Sequence, residues 1–225
     1  MKILCISDHL DPLVYTASIK ERFKDVDLVV SAGDLPQDYL DFVVTSLNKP
    51  LLSVYGNHDL EGFSKRSSDA WALSWEREDW ERENQQFGSG VIHIGSKIAI
   101  ERNIIFAGLG GSMRYNTGEN QYTDFQMQLE IFRLIPRLLL NRLLYGRFVD
   151  VLLTHAPPFG VHDKPDRCHK GFKAFLWFMK TFKPKYLIHG HIHLYNLSDI
   201  RVTSYCNTQV VNAYGHYIID TDVLL

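Results

Sequence analysis

Short apolar runs alternate with amphipathic stretches along the first part of the chain. The runs KILCIS, VDLVVSAGD and PLLSVYGNHD are predicted to be buried strands, and polar residues follow each of them. Between the first two runs, Pro12 favours a helix start. Tyr15, Ile19 and Phe23 then recur at helical spacing. A second helix is predicted from about Pro36 to Leu47, so the pattern is typical of successive βα units.

The same alternation returns after a polar insertion at about 61–90. Residues 91–111 are predicted to form consecutive strands, and residues 122–145 a helix with a kink or break at Pro136. FVDVLLTH and YLIHGHIH are two more buried strands, and DIRVTSY, TQVVNA and HYIID are short ones. Between FVDVLLTH and YLIHGHIH lies a helical stripe of four apolar residues: Phe172, Phe175, Leu176 and Met179. Mixed units of this kind predict an α/β fold with two packed sheets covered by helices.

Length and charge limit the classes of partner. A chain of 225 residues suits one domain, here taken as 1–225. The formal charge of −2 gives no sign of the broad basic surface that long nucleic acids or anionic membranes favour. Cys5, Cys168 and Cys206 are widely spaced and lack a metal or disulfide pattern. We expect reduced thiols and a cytoplasmic protein with neither signal peptide nor membrane span, and a homo-oligomer is left open.

Polar residues follow five of the predicted strands, at the point where each strand ends. They are Asp8, Asp34, Asn57-His58-Asp59, His155 and the cluster His189, His191 and His193. In α/β sheets, the carboxyl ends of parallel strands share one rim. Taken singly, these residues could be helix caps, a turn asparagine or a core histidine. Taken together, they would be unpaired without a cation, and their oxygen and imidazole ligands suit Mn, Fe, Zn or Ni.

The stretch YLIHGHIHLY carries three histidines within five residues. If the strand continues, alternation sends all three imidazoles toward one face. If it ends, Gly190 permits a sharp turn. Both cases predict that the imidazoles converge.

In these motifs the chain resembles the calcineurin-like metallophosphoesterases. The motifs are SD at residues 7–8, GD at 33–34, GNHD at 56–59, the histidine of THAPP at 155 and GHIH at 190–193. The resemblance implies a four-layer α-β-β-α sandwich and two divalent metal ions, with Mn favoured and Fe, Zn or Ni as alternatives. It also implies the ligands. Asp34 would bridge both ions, Asp8 and His193 would complete the first position, and Asn57, His155 and His191 would complete the second. His189 would stay outside.

The resemblance implies a reaction as well. Two ions about 3.5–4 Å apart would hold a bridging hydroxide for in-line attack on a phosphoryl group. His58 would stand over the leaving-group oxygen, with Asp59 fixing its orientation. We therefore expect hydrolysis of small phosphodiesters, with cyclic nucleotides as one candidate. A phosphomonoesterase, a nuclease of the same chemistry and a non-catalytic metal-binding scaffold are the alternatives.

Three further residues are candidates for substrate contact. Arg114 lies in a glycine-rich stretch, where a guanidinium could bind phosphate, although a solvated arginine is an equal alternative. His162 and His169 follow His155 closely and are expected beside the site. The tryptophan-rich insertion at about 61–90 is open to three interpretations: a lid, a dimer contact or packing against the sheet.

One motif departs from the family pattern. The family follows its first aspartate with Asp-x-His, whereas this chain reads SDHLDP and places Leu10 at the expected histidine. His9 and Asp11 are the candidate substitutes. Alternation would turn His9 away, and Asp11 before Pro12 suits an N-cap. We expect that water replaces the missing ligand, so that the first metal position binds more weakly than the second.

Overall fold

A computed structural model describes residues 1–59, 90–196 and 198–221. The insertion predicted at about 61–90 falls almost wholly outside these residues. The strands are β1 Lys2–Ser7, β2 Leu28–Ser31, β3 Leu51–Ser53, β4 Val91–His93, β5 Ile98–Glu101, β6 Ile104–Leu109, β7 Ser112–Met113, β8 Gln121–Tyr122, β9 Val151–Thr154, β10 Tyr186–His189, β11 Val202–Tyr205, β12 Thr208–Asn212 and β13 Gly215–Asp220. The helices are α1 Ile19–Arg22, α2 Gln37–Leu47, α3 Asp124–Tyr145 and α4 Lys173–Phe182.

Two mixed sheets contain most of the strands. The first has the order β13-β1-β2-β3-β4, in which β1 to β4 run parallel and β13 is antiparallel to β1. The second has the order β11-β12-β10-β9-β6-β5, in which the four central strands are parallel and both edge strands are antiparallel. The parallel strands β1, β2, β3, β9 and β10 are therefore able to bring their carboxyl ends to one rim.

The apolar side chains divide into three cores, which define four layers. In β1, Ile3 and Cys5 pack between the two sheets, whereas the alternate residues Leu4 and Ile6 pack against α1 and α2. The second sheet likewise has an outer core shared with α3 and α4. This alternation explains why the strands are apolar at nearly every position, since both faces of each sheet are buried. The four-layer α-β-β-α sandwich predicted from the sequence is confirmed.

The first helix is shorter than the sequence predicts. The region after Pro12 forms turns, and α1 has only four residues. The cause is Asp11, whose side chain accepts a hydrogen bond from Leu13 N at 2.8 Å and whose carbonyl accepts from Val14 and Tyr15. A side chain that bonds its own backbone in this way competes with helix formation.

Helix α3 passes through Pro136 without a break. Thr123 and Gln126 form a capping box at its start, and Gly146 ends it in the left-handed conformation at φ 73°. Pro136 lies on the exposed side, so the backbone bond that it removes is lost where water can replace it. Across residues 1–59, 90–196 and 198–221, no helix has the length and apolar character that crossing a membrane requires.

Candidate metal centre

Three predicted ligands at strand ends adopt left-handed backbone conformations. Asp8 follows β1 with φ 60°, Asp34 lies beyond β2 with φ 56°, and His191 lies beyond β10 with φ 64°. Such conformations cost about 1–3 kcal/mol for residues with a Cβ and persist only where surrounding contacts hold them. Strand β10 ends at His189, and the left-handed turn comes at His191 rather than at Gly190. The three imidazoles therefore do not lie on one strand face.

Three side-chain atoms converge on Nε2 of His155, which is fully buried. Its Nε2 lies 3.0 Å from Asn57 Oδ1, 3.1 Å from His191 Nδ1 and 3.4 Å from Asp34 Oδ2. The candidate ligand atoms of Asp34, His155 and His191 all lie within 4.8 Å of one another. The structure thus brings together the four side chains that the resemblance assigned to the second metal position.

The hydrogen-bond donors of these side chains point away from the point of convergence. His155 Nδ1 donates to Ala32 O at 2.8 Å, and His191 Nε2 donates to Cys168 O at 2.6 Å. Asn57 Nδ2 donates to Tyr115 Oη at 3.2 Å. Because a carbonyl oxygen can only accept, each imidazole must carry its proton on the outer nitrogen. The inner atoms are therefore the ones directed at the point of convergence, an arrangement that fits the ligands of a divalent cation.

Asp34 and His155 shift each other's pKa. Burial alone would lower the pKa of His155, but the nearby carboxylate of Asp34 outweighs it and raises this pKa to about 9. Burial would raise the pKa of Asp34, but His155 outweighs it and lowers that pKa to about 2. For His191, burial and then His155 lower the pKa to about 3. The centre therefore favours a positive charge beside the carboxylate of Asp34.

Asp8 and His193 face each other beside this group. Asp8 Oδ2 accepts a hydrogen bond from His191 N at 2.9 Å, whereas Asp8 Oδ1 is buried and has no hydrogen-bond partner among the described residues. His193 Nε2 lies 4.0 Å from that oxygen. Burial, together with the charge of Asp34, raises the pKa of Asp8. A buried carboxylate oxygen without a partner fits the first metal position, with His193 as a second ligand.

Two motif glycines leave room for the carboxylates. A Cβ at residue 56 would collide with Asp34 Oδ1, and a Cβ at residue 190 would collide with Asp8 Oδ2. Glycine at these positions lets backbone approach the ligand oxygens closely. The glycines of GNHD and GHIH therefore help to form the candidate metal centre, as do the predicted ligands that follow them.

The two predicted catalytic residues lie on the loop that carries Asn57. The backbone N of His58 donates to Asp34 Oδ1 at 2.9 Å, and its side chain is exposed at the rim. Asp59 Oδ2 accepts from Asp34 N at 3.0 Å and from Gly56 N at 2.6 Å. Burial and the charge of Asp34 raise the pKa of Asp59 to about 6. Asp59 thus braces the loop against Asp34, while its effect on the His58 ring stays a prediction.

The two candidate substitutes at the departing motif have other contacts. Asp11 Oδ2 lies 2.6 Å from His216 Nδ1, and Asp11 Oδ1 accepts from Leu13 N. The His9 ring stacks on Tyr214 with centroids 5.8 Å apart. Leu10 is exposed. These contacts hold Asp11 as a turn-forming residue bound to β13. It was predicted to cap a helix starting at Pro12, but the first helix begins only at Ile19.

Two of the remaining histidines form a chain of hydrogen bonds. His189 is fully buried, and its Nδ1 donates to Gly190 O at 2.8 Å. Its Nε2 lies 2.8 Å from His162 Nδ1, and His162 Nε2 lies 2.8 Å from Thr203 Oγ1. Both ring nitrogens of His162 are therefore engaged by the protein, which places this candidate substrate contact behind the GHIH turn.

The other two candidate substrate contacts lie nearer the surface. Arg114 is exposed, and its Nη2 donates to Gln121 O at 3.1 Å. The His169 ring lies 5.5 Å from the His191 ring, and its Nδ1 lies 2.8 Å from Asp166 Oδ1. His169 therefore borders the centre, whereas Arg114 is held by the loop between β7 and β8.

Sequence reasoning missed three residues of the centre. Tyr115 accepts from the Asn57 amide, the Cys168 carbonyl accepts from His191, and the Tyr214 ring lies 4.8 Å from the His193 ring. The Cys168 contact is made by a backbone atom, for which no residue pattern exists. Tyr115 comes 58 residues after Asn57 along the chain, so only the fold brings them together.

Comparison with known proteins agrees with this geometry. A family model described as calcineurin-like phosphoesterase matches residues 1–195. The chain belongs to the calcineurin-like phosphoesterase family. No curated protein matches it.

The solved structures that resemble this phosphoesterase share its fold at low identity. One crystal structure has a TM-score of 0.66 at 17% identity, covering 99% of this chain and 95% of the other. TT1561 of Thermus thermophilus has a TM-score of 0.60 at 14% identity, covering 95% and 89%. GAP50, the anchor in the inner membrane complex of Plasmodium, has a TM-score of 0.52 at 11% identity, covering 94% and 70%. These likenesses support the fold alone. Membership of the family implies metal-dependent hydrolysis of phosphoesters.

Proposed function

We propose that this phosphoesterase hydrolyses small phosphodiesters at a centre of two divalent ions, with Mn favoured and Fe, Zn or Ni as alternatives. The convergence of ligand atoms around His155 Nε2 carries the proposal. Carboxylate, amide and imidazole groups meet there, and the donors of the amide and of both imidazoles are directed to protein acceptors. Hydrogen bonds of this kind, from a ligand side chain to a protein acceptor, orient metal ligands.

The chain would hold the ions through two sets of side chains that share Asp34. Asn57, His155 and His191 form the more complete set, and Asp8 and His193 form the other. When bound, divalent ions supply Lewis-acid activation of the phosphoryl group and of the attacking water. The oxygen and imidazole ligands match Mn and its neighbours, since none of the assigned ligands is a thiolate.

The residues around the centre would position the substrate and handle its proton. His58 stands at the exposed rim, while its backbone N is anchored to Asp34 at 2.9 Å. From this position its imidazole would donate a proton to the leaving-group oxygen. Asp59 fixes the loop through Asp34 N and Gly56 N, so that the imidazole starts from a defined backbone.

Arg114 is the candidate phosphate contact for either class of ester. One terminal nitrogen donates to Gln121 O at 3.1 Å. A guanidinium has five N–H donors, so this bond does not prevent it from gripping phosphate oxygens. The choice of diesters over monoesters is therefore decided by the test below. The phosphomonoesterase, the nuclease and the non-catalytic scaffold remain the alternative outcomes of the test.

The test is hydrolysis of an aryl phosphodiester and of the matching aryl phosphomonoester, each with and without added Mn²⁺. We expect Mn-dependent turnover that is faster on the diester, and loss of turnover with chelator. The Asp34→Asn variant, purified in the same way, is the control for contaminating phosphatase. Faster turnover of the monoester would favour a phosphatase. Equal rates for parent and variant on both substrates would favour the scaffold.

A further inference from the structure

Helix α3 has two apolar faces, of which only one is used by the fold. Met127, Ile131, Leu134 and Leu138 are buried against the second sheet and α4. The opposite face is also apolar but exposed, with Phe125 at 71% and Leu143 at 80% exposure near its two ends. A surface helix normally carries polar residues on that side. The outward face of α3 therefore needs an explanation other than the core.

The outward residues follow a strict spacing of alternating four and three positions. The outward stripe of α3 consists of Phe125, Leu129, Phe132, Pro136, Leu139 and Leu143. A spacing of 4-3-4-3-4 is the a/d repeat by which one helix packs along another. The inner face has the same spacing, at Met127, Ile131, Leu134 and Leu138, and is already packed against the second sheet and α4. The outward stripe is therefore a second continuous apolar face, with a spacing that allows another helix to pack along it.

The exposed apolar area approaches that of a stable interface. Trp177 of α4 extends the stripe through an edge contact with Phe132, at a centroid distance of 5.9 Å. A large apolar side chain has about 200 Å² of surface. On that basis, the exposed fractions of the outward stripe and of Trp177 together correspond to roughly 700 Å² of apolar area. The largest apolar patch on a typical monomer is about 300–600 Å², whereas a stable interface uses about 800 Å² from each partner.

The outward stripe is complementary to itself in the antiparallel direction. A two-fold axis beside position 134 would place Phe125 against Leu143 of the second copy. The same axis would place Leu129 against Leu139, and Phe132 against Pro136. Every position of the outward stripe then has an apolar partner, as a closed two-fold interface requires. We propose that two copies of this chain form a dimer through antiparallel packing of their α3 helices.

The charges beside the outward stripe permit this arrangement. Near the axis, Arg133 is 70% exposed and is already paired with Glu130 of its own helix. Glu130 is only 16% exposed and also accepts from Ser96 Oγ at 2.7 Å, so each arginine stays paired within its own copy. Arg137, three positions from the axis, is also exposed but lies farther round the helix from the outward stripe than Arg133 does. Farther out, Gln126 and Gln128 are uncharged.

The test compares the solution mass of the full-length parent with that of two glutamate variants by sedimentation velocity. Leu143→Glu removes an end of the outward stripe. Leu144→Glu is the matched control, because Leu144 is also exposed, at 61%, but lies about 100° round the helix. We expect a parent mass of twice 26.0 kDa. Leu143→Glu should weaken the dimer about tenfold or more, and Leu144→Glu should leave it unchanged. Thermal unfolding of each variant checks that the monomer still folds.

Cysteine cross-linking tests the antiparallel register. The double variant Leu129→Cys/Leu139→Cys should form disulfide-linked dimers on mild oxidation, whereas either single variant should behave as the parent does. Cross-linking of the Leu129→Cys single variant would indicate a parallel arrangement and overturn the proposal. A monomeric parent would overturn the proposal as well. If that monomer bound vesicles of phosphatidylserine and phosphatidylcholine, the outward stripe would be a lipid-binding surface instead.

Discussion

His162 Nδ1 donates a hydrogen bond to His189 Nε2 across 2.8 Å, and the direction of this bond is fixed by its neighbours. His189 Nδ1 must carry a proton because Gly190 O accepts from it. The chain therefore runs from the Thr203 hydroxyl through both imidazoles to the peptide between Gly190 and His191. The N–H of that peptide donates to Asp8 Oδ2 at 2.9 Å. Strand β11, at the edge of the second sheet, is thus linked by hydrogen bonds to Asp8, a predicted metal ligand that follows β1.

Thr203→Val should weaken metal binding although Thr203 is not a ligand. The variant leaves His162 Nε2 without its donor and loosens the peptide that orients Asp8. We expect a loss of metal affinity of about two- to tenfold. This is smaller than the 10–100-fold loss that is usual when a residue hydrogen-bonded directly to a metal ligand is replaced. Calorimetric titration with Mn²⁺ measures it, and Thr203→Ser should restore the parent value. A serine variant as weak as the valine variant would mean that lost packing, not the hydroxyl, is responsible.

The first metal position should bind more weakly than the second. It has Asp8, Asp34 and His193, while Asp11 is bound to His216 and His9 stacks on Tyr214. A position with fewer protein ligands holds its ion less tightly. Calorimetry of the parent, His9→Ala and Asp11→Ala proteins should show two unequal sites in all three. Two equally tight sites in the parent, or loss of one site in either variant, would identify a substitute ligand instead.

His58→Ala should reduce turnover by about 10²–10⁴ and leave metal content unchanged. The imidazole lies at the exposed rim and has no assigned metal, so we expect its loss to remove the proton donor and to spare the metal ligands. Because a good leaving group needs less protonation, the effect should shrink for a nitrophenyl ester. Metal analysis of the purified variant is the control. A variant that loses bound metal would show that His58 is a ligand.

Protonation of His93 should destabilise the fold below pH 6.5. The ring stacks on Tyr55 at 3.8 Å, and its Nδ1 has no hydrogen-bond partner among the described residues. Burial, and then the charge of Lys97, lowers the pKa of His93 to about 4 from 6.5. Between these values the unfolded chain binds the proton more tightly, so stability falls as the pH falls, by about 3 kcal/mol once the pH is below the folded pKa.

His93→Phe keeps the stacked ring and removes the titration. Urea unfolding at pH 7.5 and at pH 4.5 should therefore show a smaller loss of stability on acidification in this variant than in the parent. Equal losses in both proteins would assign the acid sensitivity to other groups.

The metal-centre residues were accessible from the sequence because each ends a strand. Buried runs stop at Asp8, Asp34 and His155. Each of these side chains is therefore expected at the rim, whatever the order of the strands in the sheet. The ligand set itself came from the resemblance to the family. The structure brings most of that set together, although the division between two ions stays a prediction.

Two kinds of feature could not be predicted from the sequence. One is contact between segments that lie far apart along the chain, and the other is competition between local side-chain hydrogen bonds and helix formation. His162 was expected to face substrate, but its partner Thr203 lies 41 residues away along the chain. The helix predicted after Pro12 is displaced by turns, since helical spacing cannot show that the Asp11 side chain binds Leu13 N. The outward stripe of α3 could not be predicted either. A helix was predicted over residues 122–145, but the sheet against which it packs decides which of its faces is buried.

The binding of Mn²⁺ to metal-free protein, measured by calorimetry in the parent and in Asp34→Asn, tests the metal centre most directly. Asparagine keeps an oxygen for His58 N but replaces the charged Oδ2 that faces His155. We predict clear binding by the parent and a loss of about tenfold or more in the variant, with thermal unfolding showing that both proteins fold. A folded parent that binds no divalent ion, or a variant that binds as tightly as the parent, would contradict the account.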